Sequence, residues 1–234
     1  MLVFLFLAMI WLKEFFEVMN MFIVMHATVT YYNWRGENES DRVADITEAY
    51  NVAFKKHIGS IAIGAPILAF VGFLKMITMM VSEKVGNTFS SANSHLSDEV
   101  FAYIAVSGDN FCSSSSDNYV LQNKHQKQFS FTNKIAKVFI FLGKVAICFL
   151  NVWLTRISMR AVGVYDNLAA PIGITLFVGA LSFTNASMFL CVFDAAVIGM
   201  MSCAAIDMDN NDGIPTRGPQ TFHDKIRKIK EQTD

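Results

Sequence analysis

The sequence predicts an all-α, polytopic membrane protein with about four transmembrane helices plus a re-entrant or interfacial helix pair. Three observations predict it. The chain has 234 residues, of which 53% are apolar and 17% charged; a soluble chain carries about 25% charged residues. Its apolar residues fall in long blocks rather than short alternating strands. Four blocks reach the roughly 20 residues that a helix needs to cross a bilayer. Residues 99–122 open with the apolar run "EVFAYIAVSGDNFC", broken by a Ser-Gly turn. The competing class, a soluble all-α core, would have to hide all four blocks from water within 26.2 kDa.

The first block covers about 2–32. It lacks a basic n-region and a small-residue cleavage site, and apolar character resumes after Glu17, so it reads as a span rather than a secretory signal. The second, about 58–81, sets Ala62, Ala65, Ala69 and Gly72 on one face, a pattern for close helix packing in lipid. Pro66 predicts a kink within it. The third covers about 135–154 and contains Lys144. The fourth, about 170–206, is about 55 Å long as one helix. It exceeds one span, so it either runs on into water or breaks near Gly199. Backbone groups in lipid must be satisfied locally, which makes all four blocks helical.

Polar stretches separate the blocks. Residues 33–57 are charged, with a short helix expected over 42–56. Residues 82–134 are the longest connection and contain the 99–122 pair, expected as a re-entrant or interface-lying helix–turn–helix whose turn is covered by protein. The division is a transmembrane domain, 1–206, and a cytoplasmic tail, 207–234. Orientation follows the Lys and Arg flanking the spans. Arg217, Lys225, Arg227, Lys228 and Lys230 in the tail outweigh Arg156 and Arg160 before the last span, which puts the tail in the cytoplasm. Strict alternation then places 33–57 outside, with the sequon Asn38-Glu39-Ser40 on that loop, although Arg35, Arg42, Lys55 and Lys56 weigh against it.

Several function classes are excluded. A net charge of -1 offers no field for nucleic acid. Four scattered Cys make neither a disulfide scaffold nor a CxxC metal site. No nucleophile elbow, P-loop, HExxH or dinucleotide fingerprint is present, so no enzymatic activity, cofactor or metal is expected. "DMDNNDG" lacks the Glu that closes a Ca²⁺ loop.

The remaining polar groups inside the blocks are the candidates for function. Lys13, Glu14, Glu17, Asn20 and Thr28 fall within about one third of the helix circumference. With Lys13 paired to Glu17, Glu14 is left as a carboxylate for a cation pathway; the same stripe can instead pack against partner helices. His26 on the opposite face reads as a packing residue. Tyr31, Tyr32 and Trp34 form either an aromatic box for a quaternary ammonium or an interfacial belt. Asp194 is either an intramembrane substrate or proton site or a boundary residue, and Phe193 beside it is a candidate wall.

Five segments, in order, resemble the C-terminal half of the choline transporter-like family: "HATVTYYNW", "FKKHIGSIAIGAPILAFV", "AYIAVSGDNFCSSS", "FIFLGKVAI" and "CAAIDMDNNDG". The residues that carry the resemblance are Gly108, Asn110, Phe111, Cys112, Gly143, Lys144 and Asp207. The chain departs from that family at Asp109, where Lys is usual, and at Ile198, where an Asp of the last span falls. The Cys-rich loop of many members is absent, and the family carries more than twice as many spans. The resemblance implies sodium-independent transport of choline or a similar small cation, in the plasma membrane or an organelle membrane. Substrate would be held by Glu14, Glu17 and Asp194 with Tyr31, Tyr32 or Phe193 as wall. A chain with so few spans implies a second copy or other membrane chains as partners, or a shortened, non-transporting subunit of a larger complex.

Overall fold

The structure, a computed structural model, describes residues 1–35, 41–81, 98–124, 126–161, 163, 171–211 and 215–219. The sequon at Asn38–Ser40, residues 82–97 and the basic residues Lys225, Arg227, Lys228 and Lys230 lie outside the described residues. The elements are α1 (Leu2–Tyr32), α2 (Ile46–Lys55), α3 (Ile58–Val81), α4 (Glu99–Ser107), α5 (Phe111–Lys124), α6 (Gln126–Ala161) and α7 (Pro171–Asn210). No strand occurs among the described residues.

Among the described residues, two helices are long and apolar enough to cross a membrane, Asn133–Ala161 and Ile172–Asn210. A third candidate joins α2 to α3 across a bend of 80°. The first block forms a helix of 31 residues but is not among these candidates. Lys13, Glu14, Glu17 and Asn20 interrupt its apolar character. The fourth block does not break at Gly199, because α7 is continuous to Asn210. Gly199 serves instead as a contact with α1: a Cβ there would lie 3.2 Å from the Met25 carbonyl oxygen. The 80° bend lies between α2 and α3, at Lys56–His57 just before the second block, and Pro66 lies inside α3.

The chain forms two compact units, Met1–Phe129 with Ile198–Asp234, and Ser130–Val197. In the first, the C-terminal half of α1 is the core, with Phe22 and Met25 fully buried. Around it pack α2, α3 and α4. Asp45 caps α2 by accepting from the Glu48 N–H at 2.8 Å, worth about 1 kcal/mol. Its own N–H donates to Thr30 Oγ1 at 3.0 Å, which ties the start of α2 to the end of α1. Ala49 and Ala53 form the buried face of α2, and Tyr50 and Phe54 stack outward. That amphipathic pattern suits a helix lying at the interface.

The expected helix–turn–helix is present as α4 and α5. Val100, Phe101, Ala102 and Ile104 of α4 are fully buried. Gly108 ends α4 in the left-handed conformation, φ 79°, which glycine adopts without steric cost. Phe101 and Phe111 flank Gly64 of α3 so closely that a Cβ there would lie 2.7 and 2.6 Å from their rings. The turn itself, Ser107–Asn110, is exposed rather than covered by the described residues. In the second unit, α6 and α7 run antiparallel, with Gly143 against Leu190 and the Cys148 thiol donating to the Gly179 carbonyl at 3.4 Å. Their outward faces carry Phe139, Phe149, Leu176 and Phe189, all exposed.

One expectation is overturned. Tyr32 at the end of α1 bonds Asp207 at the end of α7, and Arg42 bonds the tail at Gly218. A hydrocarbon core about 30 Å thick cannot separate atoms in hydrogen-bond contact. The loop after α1 and the start of the tail therefore share one side. Alternation counted all four apolar blocks as full crossings, whereas among the described residues two helices, or three with the bent α2–α3 pair, are long and apolar enough. In a background with the four native cysteines replaced, Asp41→Cys and Pro219→Cys should react with an impermeant maleimide from the same face of the membrane. Labelling from opposite faces would disprove the shared side.

Candidate functional site

The densest polar cluster described lies where α1, α7 and the tail meet. Asp207 is in the last turn of α7, where the helix dipole disfavours a negative charge, and it is only 7% exposed. Donors gather around it for that reason. Its Oδ2 accepts from Tyr32 Oη at 3.0 Å and from the backbone N–H groups of Thr216 and Arg217 at 2.7 and 2.8 Å. Its Oδ1 accepts from Thr216 Oγ1 and Asn211 Nδ2, each at 2.9 Å. Gly218, with φ 98°, lies flat on the Tyr32 ring, and a Cβ there would come within 2.6 Å of it.

Arg42 completes this cluster. Its guanidinium carbon sits 5.6 Å from the Tyr31 ring centre and 5.7 Å from that of Trp34. Nη1 donates to the carbonyls of Tyr31 and Tyr32 at 3.3 and 3.5 Å, and Nη2 to Gly218 O at 3.2 Å. The last carbonyls of a helix have no intrahelical donor, so an arginine at this point satisfies them. Arg217 Nη1 adds a bond to Asn33 Oδ1 at 3.3 Å. The aromatic pair thus already holds a cation, and that cation belongs to the chain.

The other candidates lie apart from this cluster. Lys13 Nζ bridges Glu14 and Glu17, each at 2.9 Å, so the trio keeps one net negative charge. Glu17 is 53% exposed and lies about 23 Å along α1 from Tyr32. Thr28, on the same stripe, is buried and donates to the Val24 carbonyl at 2.9 Å. His26 Nδ1 lies 3.1 Å from the Ala105 carbonyl oxygen. That oxygen only accepts, so Nδ1 carries the proton and fills an orphan carbonyl at the end of α4.

Asp194, half-buried, and Phe193, exposed, belong to the second unit, as do Gly143 and Lys144. Gly108, Asn110, Phe111 and Cys112 form the α4–α5 turn and the start of α5. The Asn110 carbonyl accepts from Ser114 N–H at 3.0 Å. Sequence reasoning missed Arg42, Thr216 and Gly218 as parts of one cluster. The available signals were an arginine ten residues beyond a helix end and a glycine within a turn-rich exit. Among the described residues, no group of three His, Cys, Asp or Glu could hold a metal ion.

The profile of a family described as plasma-membrane choline transporter matches residues 1–209. This chain belongs to the choline transporter-like family. It is 25% identical to choline transporter-like protein 1 of Xenopus laevis, over 93% of this chain and 35% of that protein. It is 21% identical to choline transporter-like protein 2 of Dictyostelium discoideum, over 96% of this chain and 38% of that protein. The human choline transporter-like protein 3 is 23% identical, over 88% of this chain and 34% of its own length. The chain therefore spans about a third of the length of the curated relatives it matches. Asp207, singled out by the family resemblance, is the residue on which the helix-end cluster converges.

Asp207→Asn keeps the size of the side chain but replaces one acceptor oxygen with a donor and removes the charge. It should lower the melting temperature by several degrees, since hydrogen bonds to a charged group contribute about 1.5–3 kcal/mol each. It should also release the tail, so that trypsin cuts after Arg217 several-fold faster than in the wild type. Equal cleavage rates would show that Asp207 does not hold the tail.

Proposed function

We propose that this chain takes part in moving choline or a similar small organic cation across a membrane, the plasma membrane in the first instance. The family match over residues 1–209 is the observation that carries the reading. Helices long and apolar enough for a bilayer support it, as does a low-charge composition. The proposed arrangement keeps spans at 2–32, 58–81, 135–154 and 170–206 in a transmembrane domain, 1–206, with 207–234 as a cytoplasmic tail. Because the α1–α2 loop shares the side of the tail, the crossings between them must be even in number. As full spans the second, third and fourth blocks would supply three; the count becomes even when the second, joined to α2 at a bend of 80°, enters and leaves on one side. Arg35, Arg42, Lys55 and Lys56 then join the basic tail on the cytoplasmic side, and the charge bias strengthens.

Glu14, Glu17 and Asp194 are the proposed negative groups along the pathway. Among the wall residues Phe193 is open to a ligand, Tyr31 would have to release Arg42, and Tyr32 would have to release Asp207. A second reading is a non-transporting subunit of a larger membrane assembly. The apolar residues exposed on α6 and α7 support it, since further protein can cover them. Radiolabelled choline uptake in cells lacking their own carrier separates the two. Transport predicts sodium-independent uptake that Glu17→Gln and Asp194→Asn each reduce about tenfold at equal surface abundance, the factor expected from losing ~1.4 kcal/mol of cation stabilisation. Wild-type chain at the surface without uptake would remove transport by this chain alone and leave the subunit reading.

A further inference from the structure

The polar face of α5 leads to a cleft that none of the candidates above includes. Asp117, Val120, Leu121 and Lys124 recur at helical spacing and form one stripe of α5. Tyr103 of α4 closes one wall, and Ile206, Asp209 and Asn210 of the last turns of α7 close the other. The cleft is half open and has a volume of about 310 Å³, at the small end of the range for ligand pockets. Lys124 pairs with Asp209 across it.

We propose that this cleft is a binding site for a quaternary ammonium ion, and that Lys124 is the internal cation the ligand displaces. The inference rests on the choline reading and adds to it a place apart from Glu14, Glu17 and Asp194. A quaternary ammonium donates no hydrogen bond and spreads its charge over an apolar methyl shell. It is held by a ring face and aliphatic walls, with negative charge close by. Tyr103 supplies the ring, and Val120, Leu121 and Ile206 supply the walls. Asp117 and Asp209 against Lys124 leave one net negative charge, which attracts a cation and repels an anion. A divalent metal fits less well, because one of the two carboxylates is already engaged by an ammonium and half the lining is apolar.

Lys124 is the last residue of α5, its side chain is largely exposed, and its long stem lets the ammonium swing into water. An incoming ligand takes its position beside Asp209. The choline hydroxyl, a donor and an acceptor, is left to face Asn210. Removing the lysine charge therefore strengthens binding, whereas removing Asp117 weakens it.

The test is equilibrium binding of radiolabelled choline to the full chain in nanodiscs, with uptake measured separately in cells. Asp117→Asn should weaken binding about tenfold and Lys124→Gln should strengthen it several-fold. Tetramethylammonium should compete, and the neutral isostere 3,3-dimethyl-1-butanol should not. Glu48→Gln, an exposed carboxylate on α2 and outside the cleft lining, is the control and should bind as the wild type does. Wild-type affinity in Asp117→Asn, an equal loss in Glu48→Gln, or no choline binding by the wild type would overturn the site. The two readings fail separately. Uptake with unchanged binding in Asp117→Asn removes the cleft and keeps transport. Binding that follows these variants in a chain without uptake keeps the cleft and removes transport.

Discussion

A carboxylate in the last turn of a long helix has to find donors, and at Asp207 that need shapes one end of the first unit. The helix offers none, because its final carbonyls are themselves acceptors. Tyr32 reaches across from α1, and the tail folds back to present the N–H groups of Thr216 and Arg217. Once the tail lies there, its glycine rests on the Tyr32 ring, and its carbonyl becomes a partner for Arg42. The guanidinium in turn satisfies the end of α1 and settles between Tyr31 and Trp34. Loss of the carboxylate would remove the acceptor shared by the Tyr32 hydroxyl and the Thr216 and Arg217 N–H groups.

Close approach does for the apolar parts what Asp207 does for the polar end. Gly199 admits the α1 backbone at Met25, and Gly64 admits the rings of Phe101 and Phe111. In lipid, helices associate through such contacts, because burying apolar surface between them gains little over burying it in acyl chains. The exposed phenylalanines of α6 and α7 are consistent with that environment: their partners are lipid or further protein.

Most of the helical architecture was legible in the sequence. Apolar blocks of span length gave α1, α3, α6 and α7, and the Ser-Gly turn gave the α4–α5 pair with its left-handed Gly108. The side of the membrane was not legible, because it depended on a contact between residues 175 positions apart. Arg35 and Arg42 weighed against opposite sides for that loop and the tail, but alternation outweighed them. The site was legible in part. Asp207 and the aromatic end of α1 stood out, whereas Arg42 looked like one loop charge among several. Nothing in local spacing shows which of several cations will find a ring and a set of orphan carbonyls.

Three of the places in the first unit that could hold an organic cation hold a cation of the chain. Lys13 sits between Glu14 and Glu17, Arg42 between Tyr31 and Trp34, and Lys124 beside Asp209. The common cause is electrostatic. A carboxylate or a ring face turned toward a low-dielectric surrounding is stabilised by any cation within reach, and a tethered side chain is present at high effective concentration. A diffusing ligand must compete with that tether, so its apparent affinity is the intrinsic affinity multiplied by the fraction of time the internal cation is away. The three residents differ in how readily they leave. Lys13 answers to two carboxylates, and Arg42 is fixed by three carbonyls as well as two rings. Lys124 has one ion pair at an exposed helix end. Of the three, the cleft at α4, α5 and α7 is the one where exchange with a solution cation carries the smallest loss of internal contacts.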